Sequence, residues 1–227
     1  MQKPPIDKPN PGKSMEGSPR AGGFPKELLE AARVTNLLKQ GKLFEIGDMG
    51  KAAIPALACV LKGDDINMRK SAVEALGRIG DASAVPLLVE CLKNEDMRKN
   101  AAWALWIIAE KGGDCSSAVP ELIGCLKDRD LDVQMRAVWA LENIGVPAVP
   151  ALVGALKDEG PIVRESAAKV LGEIAKKHPE GVASFIVGYV NGECGDSLLV
   201  TDARTEQMFG ELHRLMLKCG EVMRDAA

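Results

Sequence analysis

The amino-acid sequence predicts an all-α fold in which antiparallel helix pairs stack into a right-handed solenoid. The first observation behind this prediction is a unit of roughly 30 residues that recurs along the chain, as it does in solenoid proteins. Each copy opens with an apolar residue and a proline, and these openings are Ile54-Pro55, Val85-Pro86, Val119-Pro120 and Val149-Pro150. The second observation is composition. Aromatic residues make up only 4% of the chain, so alanine and leucine must provide the packing, as they do between close-packed helices.

The overall charge and hydropathy limit the kinds of partner. The chain has 227 residues and a formal net charge of -3, so it has no basic field that would attract nucleic acid. No apolar run approaches the ~20 residues that cross a bilayer. The start Met1-Gln2-Lys3-Pro4-Pro5 does not resemble a signal peptide. We therefore expect a cytoplasmic protein that binds protein or peptide partners and makes no membrane contact.

The first 50 residues contain two segments of different character. Residues 1–23 are rich in proline and glycine and have too few apolar side chains to offset the entropy of ordering, which predicts a disordered tail. Residues 24–50 carry a helical apolar pattern, and the stretch from Leu43 to Asp48 resembles the end of the later repeats. We predict that residues 24–50 form N-terminal capping helices.

Four full repeats follow, each predicted to be a pair of antiparallel helices. In the first helix, proline occupies the first turn, where its missing N–H costs nothing. In the second helix, apolar residues spaced by three and four form one buried stripe, whose alanines permit close helix contact. Gly80 and Gly145 follow the last apolar residue of two second helices, as C-terminal glycines do. The predicted repeats are residues 51–81, 82–113, 116–146 and 147–178.

Residues 179–227 are predicted to form a C-terminal capping unit with a long amphipathic helix. The apolar stripe of this helix alternates steps of four and three residues, and it consists of Met208, Leu212, Leu215, Cys219 and Val222. One interpretation is a cap that shields the last repeat from water. The other is a short coiled-coil-like seam that joins two copies of the chain as a homodimer.

Two motifs recur within each repeat: Val-Pro-x-Leu-x-x-x-Leu-Lys in the first helix, and Arg-x-x-Ala-x-x-Ala-Leu-Gly-x-Ile-Gly, with variations, in the second. Over residues 51–178 they resemble the HEAT-repeat family, in the short form called phycobilisome-lyase HEAT-like repeats. The resemblance implies that the second helices line a concave surface. It also implies that Arg69, Arg98 and Arg164 tie adjacent repeats together through acidic partners. The third repeat departs from the pattern, since Gln134 stands at the arginine position.

The sequence offers no catalytic pattern, and we expect no enzyme activity, no metal and no cofactor. The two histidines, His178 and His213, have neither a second histidine nor a cysteine cluster beside them. This excludes the di-iron deoxyhypusine hydroxylases, which resemble this fold but carry repeated His-Glu pairs. The six cysteines lack zinc-ligand spacing and are predicted to be reduced structural thiols. The acidic residues between helices suit helix N-caps, and they are Asp64, Asp65, Asp128, Asp130 and Asp132.

All three tryptophans fall on one predicted face of the second helices, opposite the buried stripes. The candidate partner-binding residues on this face are Trp103, Trp106, Ile107, Met135 and Trp139. Because Trp103 and Trp139 occupy the same repeat position, we expect stacking to place them side by side. An apolar centre with a charged rim is typical of binding hot spots, and the predicted rim is Lys70, Glu74, Arg78, Lys99 and Lys169. The alternative is that the indoles pack between repeats as part of the core.

Three functions are compatible with these observations. The one we favour is a noncatalytic scaffold that binds a partner helix or peptide in its concave groove. The second is binding of a bilin or another flat small ligand, which the resemblance to lyase subunits implies. The third is DNA repair, since one group of alkylpurine DNA glycosylases also uses HEAT-like repeats. That group relies on a basic groove, and the slightly acidic charge of this chain disfavours nucleic acid.

Overall fold

The computed structural model describes residues 26–190, together with Arg214 and Leu217. Within residues 26–190 the secondary structure consists of eleven α-helices joined by short 3-10 turns and loops, with no strand in this part of the chain. This result confirms the predicted all-α solenoid. The tail at residues 1–23 and the apolar stripe of the C-terminal helix lie outside the described residues.

The helices form two layers, and the chain alternates between them. The first layer contains α1 (Lys26–Lys39), α3 (Ile54–Leu61), α5 (Val85–Leu92), α7 (Val119–Cys125), α9 (Val149–Ala155) and α11 (Pro179–Val190). The second layer contains α2 (Leu43–Met49), α4 (Ile66–Ile79), α6 (Glu95–Glu110), α8 (Leu131–Ile144) and α10 (Pro161–Lys177). We call the latter the second-helix layer. Its consecutive members contact each other along the stack, so each repeat touches mainly its neighbours, as in solenoids.

The ends of the second helices follow from local sequence. The side chain of Asp65 caps α4 by accepting hydrogen bonds from two backbone N–H groups of the first turn, and Asp130 caps α8 in the same way with one. Gly80 and Gly145 end these helices with φ angles of 74° and 71°, a region that glycine adopts without steric cost. Both the acidic caps and the glycine ends confirm the sequence prediction.

The core lies between the two layers and runs without interruption from Val34 to Val182. The alanines of the second helices are completely buried, and they are Ala72, Ala75, Ala101, Ala104, Ala137, Ala140 and Ala167. Because these side chains are short, consecutive helices can approach closely. The contact is tightest at Gly77 of α4, where an added Cβ atom would lie 2.9 Å from both Cα and Cβ of Ala104 and from the ring of Trp103.

None of the helices in residues 26–190 is by itself long and apolar enough to span a membrane. One consecutive pair, Leu131–Ile144 with Val146–Ala155, has the length and composition when taken together, but it is bent by 113°. The apolar side chains of this pair, such as Leu141 and Leu152, are completely buried in the solenoid core.

We predict that Gly77→Ala destabilises the protein, because the new methyl group would overlap Ala104 and Trp103. The free energy of unfolding, measured by urea denaturation, should fall by about 1–2 kcal/mol, as for other overpacked cores. The matched control is Gly154→Ala in α9, where no atom lies within 4 Å of the added methyl group. That change should stabilise its helix by about 0.5–1 kcal/mol. A Gly77→Ala protein as stable as this control would contradict the close helix contact.

Candidate functional site

Arg98 connects the second and third repeats through the loops at one edge of the stack. Its Nε donates a hydrogen bond to the carbonyl oxygen of Leu92 (2.8 Å), and its Nη1 forms an ion pair with Asp128 of the following repeat. Burial acts to raise the pKa of Asp128, but the backbone N–H of Asp130 and the Arg98 guanidinium lower it by more. The net pKa therefore lies below the ordinary value of 3.8.

The side chains equivalent to Arg98 in the other repeats make different contacts. Gln134 and Arg164 each donate a hydrogen bond to the carbonyl oxygen six residues earlier, at 2.6 and 2.8 Å, and so stay within their own repeats. Arg69 approaches Cys91 of the following repeat, where burial raises the thiol pKa to about 11 although Arg69 acts to lower it. Within the described part of the chain, only Arg98 of the three family arginines has the acidic partner that the resemblance implies.

Lys99 provides a second tie between α6 and α8, through an ion pair with Asp132. Arg136 of α8 strengthens the junction by donating from Nη1 to the carbonyl oxygen of Lys99 (3.4 Å). Lys99, a predicted rim residue, is therefore engaged in an ion pair within the solenoid. Two other predicted rim residues lie on neighbouring helices: Lys70 is half-buried on α4, and Lys169 is exposed on α10.

The flank of α6 that faces α4 borders a groove of about 480 Å³, which we call the α4–α6 groove. The side chains that line it include Phe44, Asp48, Arg78, Trp103, Ile107 and Lys111. The guanidinium carbon of Arg78 lies 4.2 Å from the centre of the Phe44 ring, and its Nη2 lies 2.9 Å from a carboxylate oxygen of Glu74. Trp103 is half-buried and packs against Gly77. Two predicted rim residues, Glu74 and Arg78, are thus paired with each other beside this groove.

The opposite flank of α6 carries Trp106, which meets Trp139 of α8. Their ring centres are 5.5 Å apart, and the ring planes are inclined by 48°. Trp139 is 41% exposed, and Met135, one turn earlier on α8, is 46% exposed. The tryptophan rings that meet are therefore Trp106 and Trp139, rather than Trp103 and Trp139 as the repeat alignment predicts. We call Trp106, Trp139 and Met135 the indole patch.

One geometric rule explains why the expected pair does not form. Trp103 and Trp139 occupy equivalent positions, and each packs against the preceding repeat rather than against its equivalent. Trp103 meets Gly77, and Trp139 meets Trp106, which is the equivalent of Gly77. A side chain that leans toward the preceding helix reaches the residue one turn further along that helix. The five candidate residues are consequently divided by α6 into two groups, with Trp103 and Ile107 on the groove side.

Glu142 of α8 occupies the position equivalent to Trp106, and the charged groups that act on it all belong to α10. It therefore lies on the flank of α8 that faces α10, whereas Trp139 faces α6. Burial raises the pKa of Glu142 above its ordinary value. Lys177, Lys169 and Lys176 oppose this rise, and Glu173 adds to it. The nearby lysines therefore compensate the negative charge of Glu142 only in part.

Phe44 and Lys111 are site residues that the sequence patterns did not single out. Phe44 could have been found by repeat alignment, because the stretch Leu43–Asp48 places it at the position equivalent to Gly77 and Trp106. Of the described cysteines, Cys91, Cys115 and Cys125 are buried, and burial raises the pKa of each to about 11, whereas Cys59 is exposed. Thiols with such a pKa are poor nucleophiles.

We predict different costs for removing the two equivalent tryptophans. Trp103→Ala should lower the free energy of unfolding by about 2–3 kcal/mol, because it opens a space against Gly77 and Ala104. Trp139→Ala should cost less than about 1 kcal/mol, because the ring is already partly in water. Urea denaturation of the two variants measures the difference. Equal losses in the free energy of unfolding would contradict the prediction that the Trp103 indole packs more completely than the Trp139 indole.

We also predict that the Arg98–Asp128 pair makes stability sensitive to acid. A carboxylate whose folded pKa is lowered contributes stability above its unfolded pKa and loses it as the pH falls through the folded pKa, here below about 4. The urea midpoint of the unmodified protein should therefore fall between about pH 5 and pH 2 more steeply than that of Asp128→Asn. Asp64→Asn, which alters an exposed carboxylate, is the control and should keep the original slope. An Asp128→Asn slope that matches the control would contradict this assignment.

Comparisons with known proteins identify the family. The profile of HEAT repeats matches residues 37–106, 93–172 and 119–190, together more than half of the chain. Similar solved structures include an engineered protein (21% identity, 89% of this chain and 94% of that chain covered, TM-score 0.47). They also include the CpcE–CpcF complex of phycocyanin lyase from Nostoc sp. PCC7120 (17%, 99% and 100%, 0.42) and the archaeal HEAT-like repeats protein from Thermococcus onnurineus NA1 (12%, 85% and 97%, 0.44). No curated protein matches significantly. With its profile match and its stacked helix pairs, this chain belongs to the HEAT-repeat family.

Proposed function

We propose that this HEAT-repeat chain is a noncatalytic protein-binding module, and that its second-helix layer binds a helix or peptide of a partner protein at the indole patch. The observation that carries the proposal is the exposure of two large apolar side chains one turn apart on α8, Met135 and Trp139, of which Trp139 meets the ring of Trp106. Tryptophan is the residue type most enriched among binding hot spots. Exposed large apolar groups that adjoin each other are typical of interaction sites.

The surroundings of the indole patch support a preorganised surface. The ion pair of Lys99 with Asp132 and the Arg98–Asp128 pair hold α6 and α8 in register on one side of it. The tryptophans therefore stand on two helices whose relative position is already set. A surface of this kind loses little conformational freedom on association, so more of the contact energy remains as affinity.

The α4–α6 groove extends the same face on the other flank of α6. Ile107 and Trp103 line it, and Phe44 at its far side is 74% exposed. A partner segment that crosses α6 would contact the groove and the indole patch together. We infer that the groove is the secondary part of the site, because its arginine and carboxylate are already paired with each other.

The proposal is tested by affinity capture from a lysate of the native host, with quantitative mass spectrometry. We expect at least one protein to be enriched by the unmodified chain and lost with the double variant Trp139→Ala/Met135→Ala. Binding of that protein, once purified, should weaken by about tenfold or more, since removing a tryptophan hot spot costs about 2 kcal/mol or more.

The matched control is Leu28→Ala on α1. Leu28 is 54% exposed and belongs to the other layer of helices. This variant should capture the same proteins as the unmodified chain, and thermal melts should show that all variants fold. Identical captures by the double variant and the control would refute the indole patch as a protein-binding site.

A further inference from the structure

The helix α8 carries a row of exposed apolar side chains that extends beyond the indole patch. Leu131, Met135 and Trp139 follow one another at intervals of four residues and are 69%, 46% and 41% exposed. Residues four apart are neighbours on a helix surface, so the three side chains form one ridge about 12 Å long. We call these three residues the α8 ridge.

Charged residues interrupt this row in the other second helices. When the helices are aligned on their buried leucines Leu76, Leu105, Leu141 and Leu171, the three ridge positions lie ten, six and two residues earlier. In each of α4, α6 and α10, two of the three positions carry charged side chains, namely Lys70 and Glu74, Glu95 and Lys99, and Glu165 and Lys169. Of these four helices, α8 is therefore the one whose ridge is apolar throughout.

The spacing of the α8 ridge matches the surface of another helix. Side chains four residues apart form the ridges that interdigitate in the commonest class of helix packing. A second helix with aliphatic residues spaced by three and four presents grooves of the same dimensions. Because a helix with its side chains is about 10–12 Å wide, a single helix covers the ridge.

An extended peptide suits this surface less well than a helix. Its backbone N–H and C=O groups need hydrogen-bond partners, and the α8 ridge itself offers only apolar side chains for that purpose. The two side-chain amides of α8 already donate to backbone carbonyl oxygens, Gln134 to that of Asp128 (2.6 Å) and Asn143 to that of Trp139 (2.8 Å). A helix pairs its own backbone groups and needs only the side-chain contact.

The area of the ridge also argues against a second copy of the chain as the occupant. The exposed parts of three such side chains amount to on the order of 300 Å². Each partner in a standard protein interface contributes ~800 Å². Two copies that met only at their ridges would therefore not form a stable dimer.

We propose that the α8 ridge binds an amphipathic helix of the partner protein. The helix lies along α8 and packs aliphatic side chains, spaced by three and four residues, against Leu131, Met135 and Trp139. This inference rests on the proposed function and specifies both the partner segment and its direction, which follows α8 rather than crossing α6.

The test uses the full-length ¹⁵N-labelled protein and a synthetic amphipathic peptide of about 15 residues, a length at which isolated helices begin to be stable. The peptide consists of leucine, alanine, glutamate and lysine, has blocked ends, and has leucines spaced alternately by four and three residues. Nuclear magnetic resonance follows the three indole N–H signals, assigned by single Trp→Phe variants. We expect millimolar peptide to shift the Trp106 and Trp139 signals and to leave that of Trp103, on the other flank of α6, in place.

A control peptide and three protein variants separate helix binding from general adhesion. The same peptide with two central prolines cannot form the helix and should bind at least tenfold more weakly. Leu131→Ala should weaken binding of the helical peptide about three- to tenfold through lost apolar contact. Met135→Lys, which introduces the charge that α6 carries at this position, should weaken it more than tenfold. Leu28→Ala on α1 should leave it unchanged.

Several results would overturn the inference. They are equal binding of the two peptides, indole signals that move with neither, and a Leu131→Ala protein that binds like the unmodified one. All three variants alter exposed side chains, so their melting temperatures should match that of the unmodified protein. A Trp103 signal that shifts together with Trp139 would mean that the peptide crosses α6, which contradicts the proposed direction.

Three further outcomes would identify a different occupant or a different contact. A Trp139 signal that depends on protein concentration without peptide would make a second copy the occupant. A Trp139 signal that moves in Leu215→Lys would make it the predicted C-terminal helix of the chain itself. If a captured partner depends on Trp139 but not on Leu131, the proposed function stands, and the helix along the α8 ridge is wrong.

Discussion

The close contact between consecutive second helices is the constraint on which the other features of this structure depend. Buried alanines such as Ala75, Ala104 and Ala140 leave room only for methyl groups where these helices meet. A larger side chain at such a position would overfill the core. A tryptophan cannot occupy such a position and must lie on a flank of its helix instead. That is where Trp103 and Trp139 are found, so the packing that closes the core also determines where an aromatic surface can form.

The residue on the preceding helix then decides whether a tryptophan side chain is covered. Gly77 provides a space into which the Trp103 ring fits, and Trp103 becomes half-buried. At the next junction the equivalent position holds Trp106, whose ring meets that of Trp139. There is no glycine to receive the Trp139 ring, which keeps 41% of its surface exposed. The same stacking of helices therefore half-buries Trp103 and leaves Trp139 exposed. The cause is the residue that faces each ring, which is glycine in the first case and tryptophan in the second.

This difference marks the boundary of what the sequence could predict. The repeats, the caps at Asp65 and Gly80 and the division into two layers depend on local spacing and on which residues tolerate particular backbone angles, so the chain alone reveals them. The face that carries the tryptophans was predicted for the same reason. The pairing of Trp106 with Trp139 was not, because it depends on how far a side chain leans toward the neighbouring helix. Phe44 was missed although the stretch Leu43–Asp48 aligns it with Trp106, because the rest of its unit does not follow the repeat pattern.

The two aromatic arrangements of the second-helix layer, at Phe44 and at Trp139, differ in how much free energy a partner would gain by binding there. At Phe44 the guanidinium of Arg78 already has both a ring and a carboxylate, so a partner that used either group would first have to break an existing contact. At Trp139 the ring is exposed, and in the described part of the chain no cationic side chain lies over it. A partner that covers this ring breaks no such contact and removes apolar surface from water. Because the helices that hold the indole patch are already fixed by ion pairs, the free energy gained by covering it favours the complex rather than being spent on ordering the surface.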